Sequence, residues 1–285
     1  MAAAALAACG ARAVAPLRRF LLRGRPRGIY QPRQLAVETL ARLGAKAVLL
    51  EYLSNPVPIH DAVARMGEDA VRSTAARELG RWRSEDVFEC LSRAGLECLL
   101  PGIVETLGKF RRAETIPYFL WALGDGVCRP EAEEAIRGLG EAARASLVVA
   151  AATRTPSAAE ERPSSLQRRR WVLRLLLELK ASGQDWGKLR ELLEENDAEI
   201  VITAARIALE SAGESEKAHA VQRILQMLPS ASWFLKTEAR AALAEHFAIA
   251  RKAIEEEIAR RSEAGKKEQA LDVVLRLLVN LSRQA

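Results

Sequence analysis

The chain contains few of the residues from which enzyme active sites are usually built. It has three histidines, His60, His219 and His246, and no two of them lie within four residues of each other. Neither of the glycine-rich phosphate-binding motifs GxGxxG and GxxxxGK[ST] occurs. The GxSxG motif of a nucleophile elbow is missing as well. We therefore expect no catalytic residue and no cofactor, and an ordinary hydrolase, kinase, dehydrogenase or metalloenzyme is disfavoured.

Aromatic residues and long apolar runs are also scarce. Aromatic residues make up 5% of the chain and hydrophobic residues 49%, with alanine and leucine abundant. This composition suits contacts between helices better than an aromatic-rich sheet. No apolar run approaches the ~18 residues that a membrane-spanning helix needs. We therefore expect a soluble, all-α protein in the cytoplasm.

Paired cysteines are missing too. Cys9, Cys90, Cys98 and Cys128 form no CxxC motif and have no histidine at metal-ligand spacing. The sequence therefore gives no indication of a metal site. We interpret Cys90, Cys98 and Cys128 as small side chains buried in the core of a protein from a reducing compartment.

Acidic residues are absent from the first 37 residues, which carry seven arginines. Because the whole chain has 43 basic and 37 acidic residues, the remainder is almost neutral, and this disfavours a nucleic-acid-binding surface along its length. For residues 1–32 we favour a cationic helix around Ala13–Arg23, followed by a proline and glycine linker. A transit-like segment that would direct the protein to an organelle matrix is the second interpretation. A lipoprotein cleavage site at Leu6–Cys9 is the third, although no positive charge precedes it.

A regular pattern begins at Gln34. Four Leu-Gly dipeptides have their glycines 36, 28 and 32 residues apart, and an apolar residue stands three positions before each of these leucines. These glycines are Gly44, Gly80, Gly108 and Gly140. A glycine inside a helix costs about 1 kcal/mol relative to alanine, so we expect all four just beyond helix ends in the left-handed conformation. A period of about 30 residues with two helices per period is typical of an α-solenoid.

Three segments that fit this period resemble known helical repeats. They are residues 69–80 (Asp-Ala-Val-Arg to Leu-Gly), 113–125 (Ala-Glu-Thr-Ile-Pro to Leu-Gly-Asp) and 197–213 (Asp-Ala-Glu-Ile to Ala-Gly). Each is similar to a first or second helix of the HEAT-like repeats, a type also found in bilin lyases. The resemblance covers most of residues 33–228 and implies an α-solenoid of about six to eight antiparallel helix pairs. It says little about function, because the shared residues are packing residues.

The repeats are expected to form two sub-arrays. Residues 33–153 form the first, and in it a helix within 113–125 should bury Ile116, Leu120 and Leu123, with Phe119 widening the face. Residues 154–165 are polar, contain two prolines and are predicted to be a loop or hinge. Residues 166–285 form the second, closed by capping helices at 248–262 and 267–283.

Basic and aromatic residues near the predicted turns are candidates for binding a partner. They are Arg111, Arg112, Arg129, Arg168, Arg169, Trp82 and Trp121. The last two arginines begin a helix, where positive charge opposes the helix dipole and an acidic partner would compensate it. We expect at least two of Arg168–Arg170 to face solvent. The alternative to partner binding is that these arginines form an ordinary solvated basic turn. The two tryptophans would be binding hot spots if exposed, and the alternative is packing in the core.

The sequence thus predicts an interaction scaffold or adaptor without catalytic activity. Its concave groove would bind another protein or an acidic peptide, whereas nucleic acid is disfavoured by the neutral body. One alternative is an enzyme that uses a HEAT-like groove and resembles either the helical DNA glycosylases or the bilin lyases. The other is a structural subunit of a larger assembly, tethered by its cationic N-terminus.

Overall fold

The structure is a computed structural model and describes residues 10–157 and 160–263. This part of the chain forms fifteen α-helices, four short 3-10 helices and one two-stranded hairpin. The prediction of an all-α protein is confirmed. The predicted helix at 267–283, Cys9 and the Leu6–Cys9 segment lie outside the described residues.

The chain divides into two compact units that meet between Gly140 and Glu141. The helices of the first unit are α1 (Val14–Arg23), α2 (Gln31–Arg42), α3 (Lys46–Ser54), α4 (Ala62–Leu79), α5 (Glu85–Glu97), α6 (Pro101–Phe110), α7 (Ile116–Ala122) and α8 (Arg129–Leu139). Those of the second unit are α9 (Glu141–Ala152), α10 (Pro163–Glu178), α11 (Gly183–Leu189), α12 (Ala198–Ser211), α13 (Glu214–Met227), α14 (Trp233–Glu245) and α15 (Phe247–Glu263). The division precedes the polar segment 154–165, in which β1 (Pro156–Ser157) pairs with β2 (Glu160–Glu161) in antiparallel fashion. None of the helices in the described ranges is long and apolar enough to cross a membrane.

The arginine-rich N-terminal segment is part of the first unit. The cationic helix predicted around residues 13–23 is confirmed as α1. Leu17 and Leu21 are buried one helical turn apart, and α1 packs against α2 and α3. The apolar side of this cationic helix therefore contributes to the core.

In the first unit, α2, α4, α6 and α8 pack in succession, each against the next. The contact between α4 and α6 is close, because the Gly102 N–H donates to the Ser73 hydroxyl (2.6 Å) and the Thr106 hydroxyl donates to the Ala76 carbonyl (3.0 Å). A Cβ atom on Gly102 would lie 2.0 Å from the carbonyl oxygen of Ser73. Only glycine fits at this position.

We expect Gly102→Ala to lower the free energy of unfolding by about 1–3 kcal/mol. The new methyl group would push two helix backbones apart, although alanine normally favours a helix over glycine. Urea denaturation measures the change. Gly187→Ala is the control, since no atom lies within 4 Å of the Cβ position in the middle of α11. Equal stability of the Gly102→Ala protein and the wild type would contradict the close contact.

The four Leu-Gly glycines have different structural roles. Gly44 and Gly140 follow helix ends with positive φ of +73° and +55°, as predicted, although the ψ of −126° at Gly140 lies outside the left-handed helical region. Gly80 ends α4 but has a φ of −58°, so the predicted left-handed conformation is wrong there. Gly108 lies inside α6, and the prediction of a helix end is wrong. A Cβ atom on Gly108 would lie 2.8 Å from the Cβ atom of Ala135, so this glycine permits α6 and α8 to approach.

The apolar face predicted for residues 113–125 is correct except at one position. Ile116, Phe119 and Leu123 are buried. Leu120 remains partly exposed, because the buried face of α7 is centred between Ile116 and Phe119 and Leu120 lies at its edge. The cost of truncating Leu120 is therefore smaller than a fully buried leucine would give.

The second unit is built around α12, which contacts α10, α11, α13 and α14. This helix lies within the segment 197–213 that resembles a repeat helix. Residues 200–205 and 207–209 are buried around its whole circumference. The Asp197 carboxylate caps the helix by accepting a hydrogen bond from the Ile200 N–H at 3.0 Å. A helix that is apolar on all sides belongs at the centre of a bundle.

The cysteines of the described residues are free thiols. Cys90 and Cys128 are buried as predicted, whereas Cys98 is only half-buried. Burial raises the pKa of all three thiols, and the neighbouring Asp125 carboxylate helps to raise that of Cys128 to about 12. They are therefore poor nucleophiles at neutral pH.

Candidate functional site

A groove of about 890 Å³ lies on the surface of the first unit. It runs between the turn that precedes α5, the C-terminal half of α6 and one face of α8. We refer to it as the α6–α8 groove. Of the candidate binding residues from the sequence, only Arg111 lines it.

The floor of the α6–α8 groove consists of small residues. Gly108 and Ala135 bring the two helices together there. Gly138 follows one turn later on α8, and the position of its absent Cβ meets only the Arg111 Nε atom, at 4.0 Å. Because these residues have little or no side chain, a ligand can approach the helix backbones closely. Phe110 adds an apolar surface at the end of α6.

The two walls of the α6–α8 groove carry charges of opposite sign. Arg83 and Arg111 are exposed on one side, and neither has an ion-pair partner among the described residues. Arg111 is held in position by the backbone, since it ends α6 in the left-handed conformation with a φ of 53°. On the other side, α8 presents Glu131 and the exposed Glu134.

A further charge on the α6 wall is compensated internally. Glu105 accepts hydrogen bonds from Lys109 (2.8 Å) and Arg77 (2.6 Å). Partial burial acts to raise the pKa of Glu105, but these two cations outweigh it and lower the pKa below its usual range. The unpaired charges of the groove are therefore those of the two arginines and of the glutamates on α8.

Arg112, which the sequence suggests as a partner-binding residue, is occupied within the first unit. Its guanidinium group donates to the Glu85 carboxylate and lies 4.0 Å from the ring centroid of Phe88. The ring of Phe88 in turn packs against that of Phe110, with a centroid separation of 5.3 Å. Arg112 thus holds an aromatic pair in place beside the groove.

The other candidates of the first unit lie outside the groove. Arg129 interacts with Glu133 one turn along α8, at 3.4 Å. Trp82 is half-buried, as the packing interpretation predicts. Trp121 is exposed and packs edge-on against Tyr118, with ring centroids 6.1 Å apart.

The prediction that at least two of Arg168–Arg170 face solvent is wrong, because none of the three is exposed and Arg170 pairs with Asp197. Arg169 is fully buried, with 0% of its side chain exposed. Its guanidinium group donates to the Ala151 carbonyl (2.7 Å) and to the carboxylates of Glu161 and Glu195. Arg168 is half-buried. Arg169 therefore belongs to the core of the second unit and is not available at a surface.

Sequence reasoning missed the small residues of the groove floor and the cation at Arg83. A glycine at position 138, two residues before a helix-ending glycine, gives no signal that it lines a surface. Trp233 and Phe234, in the first turn of α14, are exposed as well.

The described residues contain no cluster of histidine, cysteine or carboxylate groups that could hold a metal ion. A comparison with known protein families and with characterised proteins finds no match for this chain.

Proposed function

We propose that this protein is an interaction scaffold without catalytic activity, and that the α6–α8 groove binds a segment of a partner protein. We further propose that its helices form a HEAT-like α-solenoid. The succession of contacts from α2 through α4 and α6 to α8 supports this architecture, since stacked repeats contact mainly their neighbours.

The observation that carries the functional proposal is the combination of floor and walls in the groove. Small residues leave the helix backbones accessible, and unpaired side chains of both signs stand on opposite sides. Such a groove favours a peptide that carries an acidic residue toward Arg83 and Arg111 and a basic residue toward Glu134. Complementary charges of this kind fix the register and orientation of a bound partner. The partner is thus a segment with both charges, which refines the acidic peptide suggested by the sequence.

Filling the groove floor tests this proposal. Gly138→Leu adds a side chain that would occupy the groove, and leucine favours a helix over glycine, so the fold should be retained. The matched control is Gly187→Leu, which adds the same side chain in the middle of α11, where the Cβ position is also open. The tagged variants are expressed in the organism of origin, and the proteins that co-purify in stoichiometric amounts are quantified.

We expect the wild type and the Gly187→Leu protein to retain a common partner, and the Gly138→Leu protein to lose it by about tenfold or more. A photoreactive residue placed at Glu134 should cross-link to that partner, whereas one placed at Gly187 should not. Equal recovery of the partner with both leucine variants would overturn the assignment of the groove. Substrate turnover by the purified chain would contradict the proposal of a scaffold without catalytic activity.

A further inference from the structure

A second exposed surface of the first unit combines arginines with protruding aliphatic side chains. We call it the N-terminal basic surface. It consists of exposed arginines before, within and after α1, together with three aliphatic residues beside the turn that follows α1. The members are Arg12, Arg19, Arg23, Arg25, Arg27, Ile29, Val63 and Met66.

The helical spacing of α1 aligns part of this surface. Leu17 and Leu21 face the core, while Arg19 and Arg23 are four residues apart on α1. This spacing places the two arginines on one stripe, roughly opposite the buried leucines, and Arg12 lies in the 3-10 turn that precedes α1. The stripe runs along the helix toward Arg25 and Arg27 in the following turn.

The turn and the beginning of α4 are held together by close packing. A Cβ atom on Gly28 would lie 2.9 Å from the Val63 side chain, and one on Gly67 would lie 3.1 Å from the Tyr30 Cβ atom. The aliphatic residues are thus brought beside the arginines of the turn. The exposed fractions of Ile29, Val63 and Met66 are 76%, 63% and 73%, so these side chains project into solvent.

The positive charge of this surface is not neutralised within the first unit. The acidic residues Glu51 and Glu68 are paired with Arg18 and Arg33, respectively. The five exposed arginines of the N-terminal basic surface have no ion-pair or hydrogen-bond partner among the described residues. Their charge is available to an anionic partner.

We propose that the N-terminal basic surface docks on an anionic lipid bilayer. The negative surface potential of anionic lipids attracts arginine side chains. Aliphatic side chains beside the arginines enter the boundary between the lipid headgroups and the acyl chains. Nucleic acid would satisfy the arginines equally well. However, single-stranded nucleic acids stack successive bases on aromatic rings. The exposed ring on α1 is that of Phe20, and the side chains that project furthest, Ile29, Val63 and Met66, are aliphatic. The protruding aliphatic side chains therefore favour the lipid surface.

Co-sedimentation of the full chain with vesicles tests this proposal. One set of vesicles is phosphatidylcholine alone, and the other contains about 30% phosphatidylglycerol, an anionic lipid. We expect binding to the anionic vesicles only, and a loss of binding as the salt concentration rises. Binding to neither set, or equal binding to both, would overturn the proposal.

Two variants separate the contributions of charge and apolar insertion. Arg23→Gln/Arg25→Gln/Arg27→Gln removes positive charge, and Ile29→Ser/Met66→Ser removes aliphatic surface. Each should weaken binding to anionic vesicles by about tenfold or more. The matched controls are Arg162→Gln/Arg190→Gln/Arg240→Gln, which are also exposed, and Leu96→Ser/Val127→Ser, whose side chains are 82% and 71% exposed. Equal losses in variants and controls would overturn the assigned surface.

Two further measurements make the outcome specific. The same proteins are titrated with a short RNA and a short DNA duplex at equal salt. Two results together would overturn the lipid assignment in favour of nucleic acid. Binding to RNA or DNA would depend on Arg23, Arg25 and Arg27, and the Ile29→Ser/Met66→Ser protein would bind vesicles like the wild type. The Gly138→Leu protein should bind anionic vesicles like the wild type, so that failure of the groove and failure of the lipid surface are told apart.

Discussion

Replacing Arg33 with methionine is expected to lower the free energy of unfolding by about 3–5 kcal/mol. Arg33 is buried and donates to both carboxylate oxygens of Glu68, from Nε at 2.8 Å and from Nη2 at 2.6 Å. It also donates to the carbonyl groups of Phe20, Leu21 and Gly24 at the end of α1. Methionine would fill similar space but leave a buried carboxylate and three carbonyl groups without these donors.

The Tyr52 hydroxyl completes this cluster by donating to Glu68 at 2.6 Å. Burial, followed by the nearby Glu68 carboxylate, raises the pKa of Tyr52 well above its usual value. Tyr52 therefore stays protonated and remains a donor, but a single hydroxyl cannot replace the bidentate arginine.

Urea denaturation measures the loss, and Arg23→Met serves as the control because Arg23 is exposed on α1. Hydrogen exchange adds a local measurement: the amide groups of α1 should exchange faster in the Arg33→Met protein than in the control. The double variant Arg33→Met/Glu68→Met should regain part of the stability, since it no longer buries an unpaired charge. Equal stability of the Arg33→Met and Arg23→Met proteins would contradict the buried cluster.

Arg169→Met is expected to destabilise the second unit by a similar amount, about 3–5 kcal/mol. Without Arg169, Glu161 would keep the Ser165 hydroxyl as a donor, and Glu195 would keep only the largely exposed Arg154. The Ala151 carbonyl at the end of α9 would lose its arginine donor as well. Arg169 joins α9, the hairpin and Glu195, which follows the 3-10 helix Arg190–Glu194. The loss of Arg169 therefore affects three elements at once.

Arg168→Met is the matched control for this second prediction, since it removes the neighbouring positive charge from the same turn. Arg168 is half-buried, and its Nη2 atom lies 3.4 Å from the Thr155 hydroxyl, a long hydrogen bond. We expect a loss of at most about 1 kcal/mol for this variant. Thermal unfolding followed by circular dichroism compares the two. A larger loss for Arg168→Met than for Arg169→Met would reverse our assignment of the core arginine.

Much of the helical architecture could be predicted from the sequence, because local signals determine it. Asp197 and Ser232 are helix caps that local chemistry identifies, and both accept the expected backbone hydrogen bonds. The segment that resembles a repeat helix begins at residue 69, whereas α4 begins at Ala62. The structure places Gly67 inside α4, where Tyr30 packs against it. The sequence alone does not distinguish a glycine that a distant side chain packs against from a glycine that ends a helix.

The same limit applies to the charged residues and to the groove. Nothing local marks Arg33 and Arg169 as buried, because their carboxylate partners lie 35 residues away for Arg33 and 8 and 26 residues away for Arg169. Arg111 was predicted from its position at a turn, which is a local property. Gly138 became informative only when the packing of α6 and α8 placed it in the groove.

The attachment of α1 through Arg33 has a practical consequence for experiments on the N-terminal segment. A shortened protein that begins after residue 32 would keep Arg33 but remove the three carbonyl groups to which it donates. It would also uncover the apolar surface beneath Leu17 and Leu21. Aggregation or a lost activity in such a truncated protein would then reflect misfolding as readily as a missing tether. Point substitutions on the solvent side of α1 avoid this ambiguity.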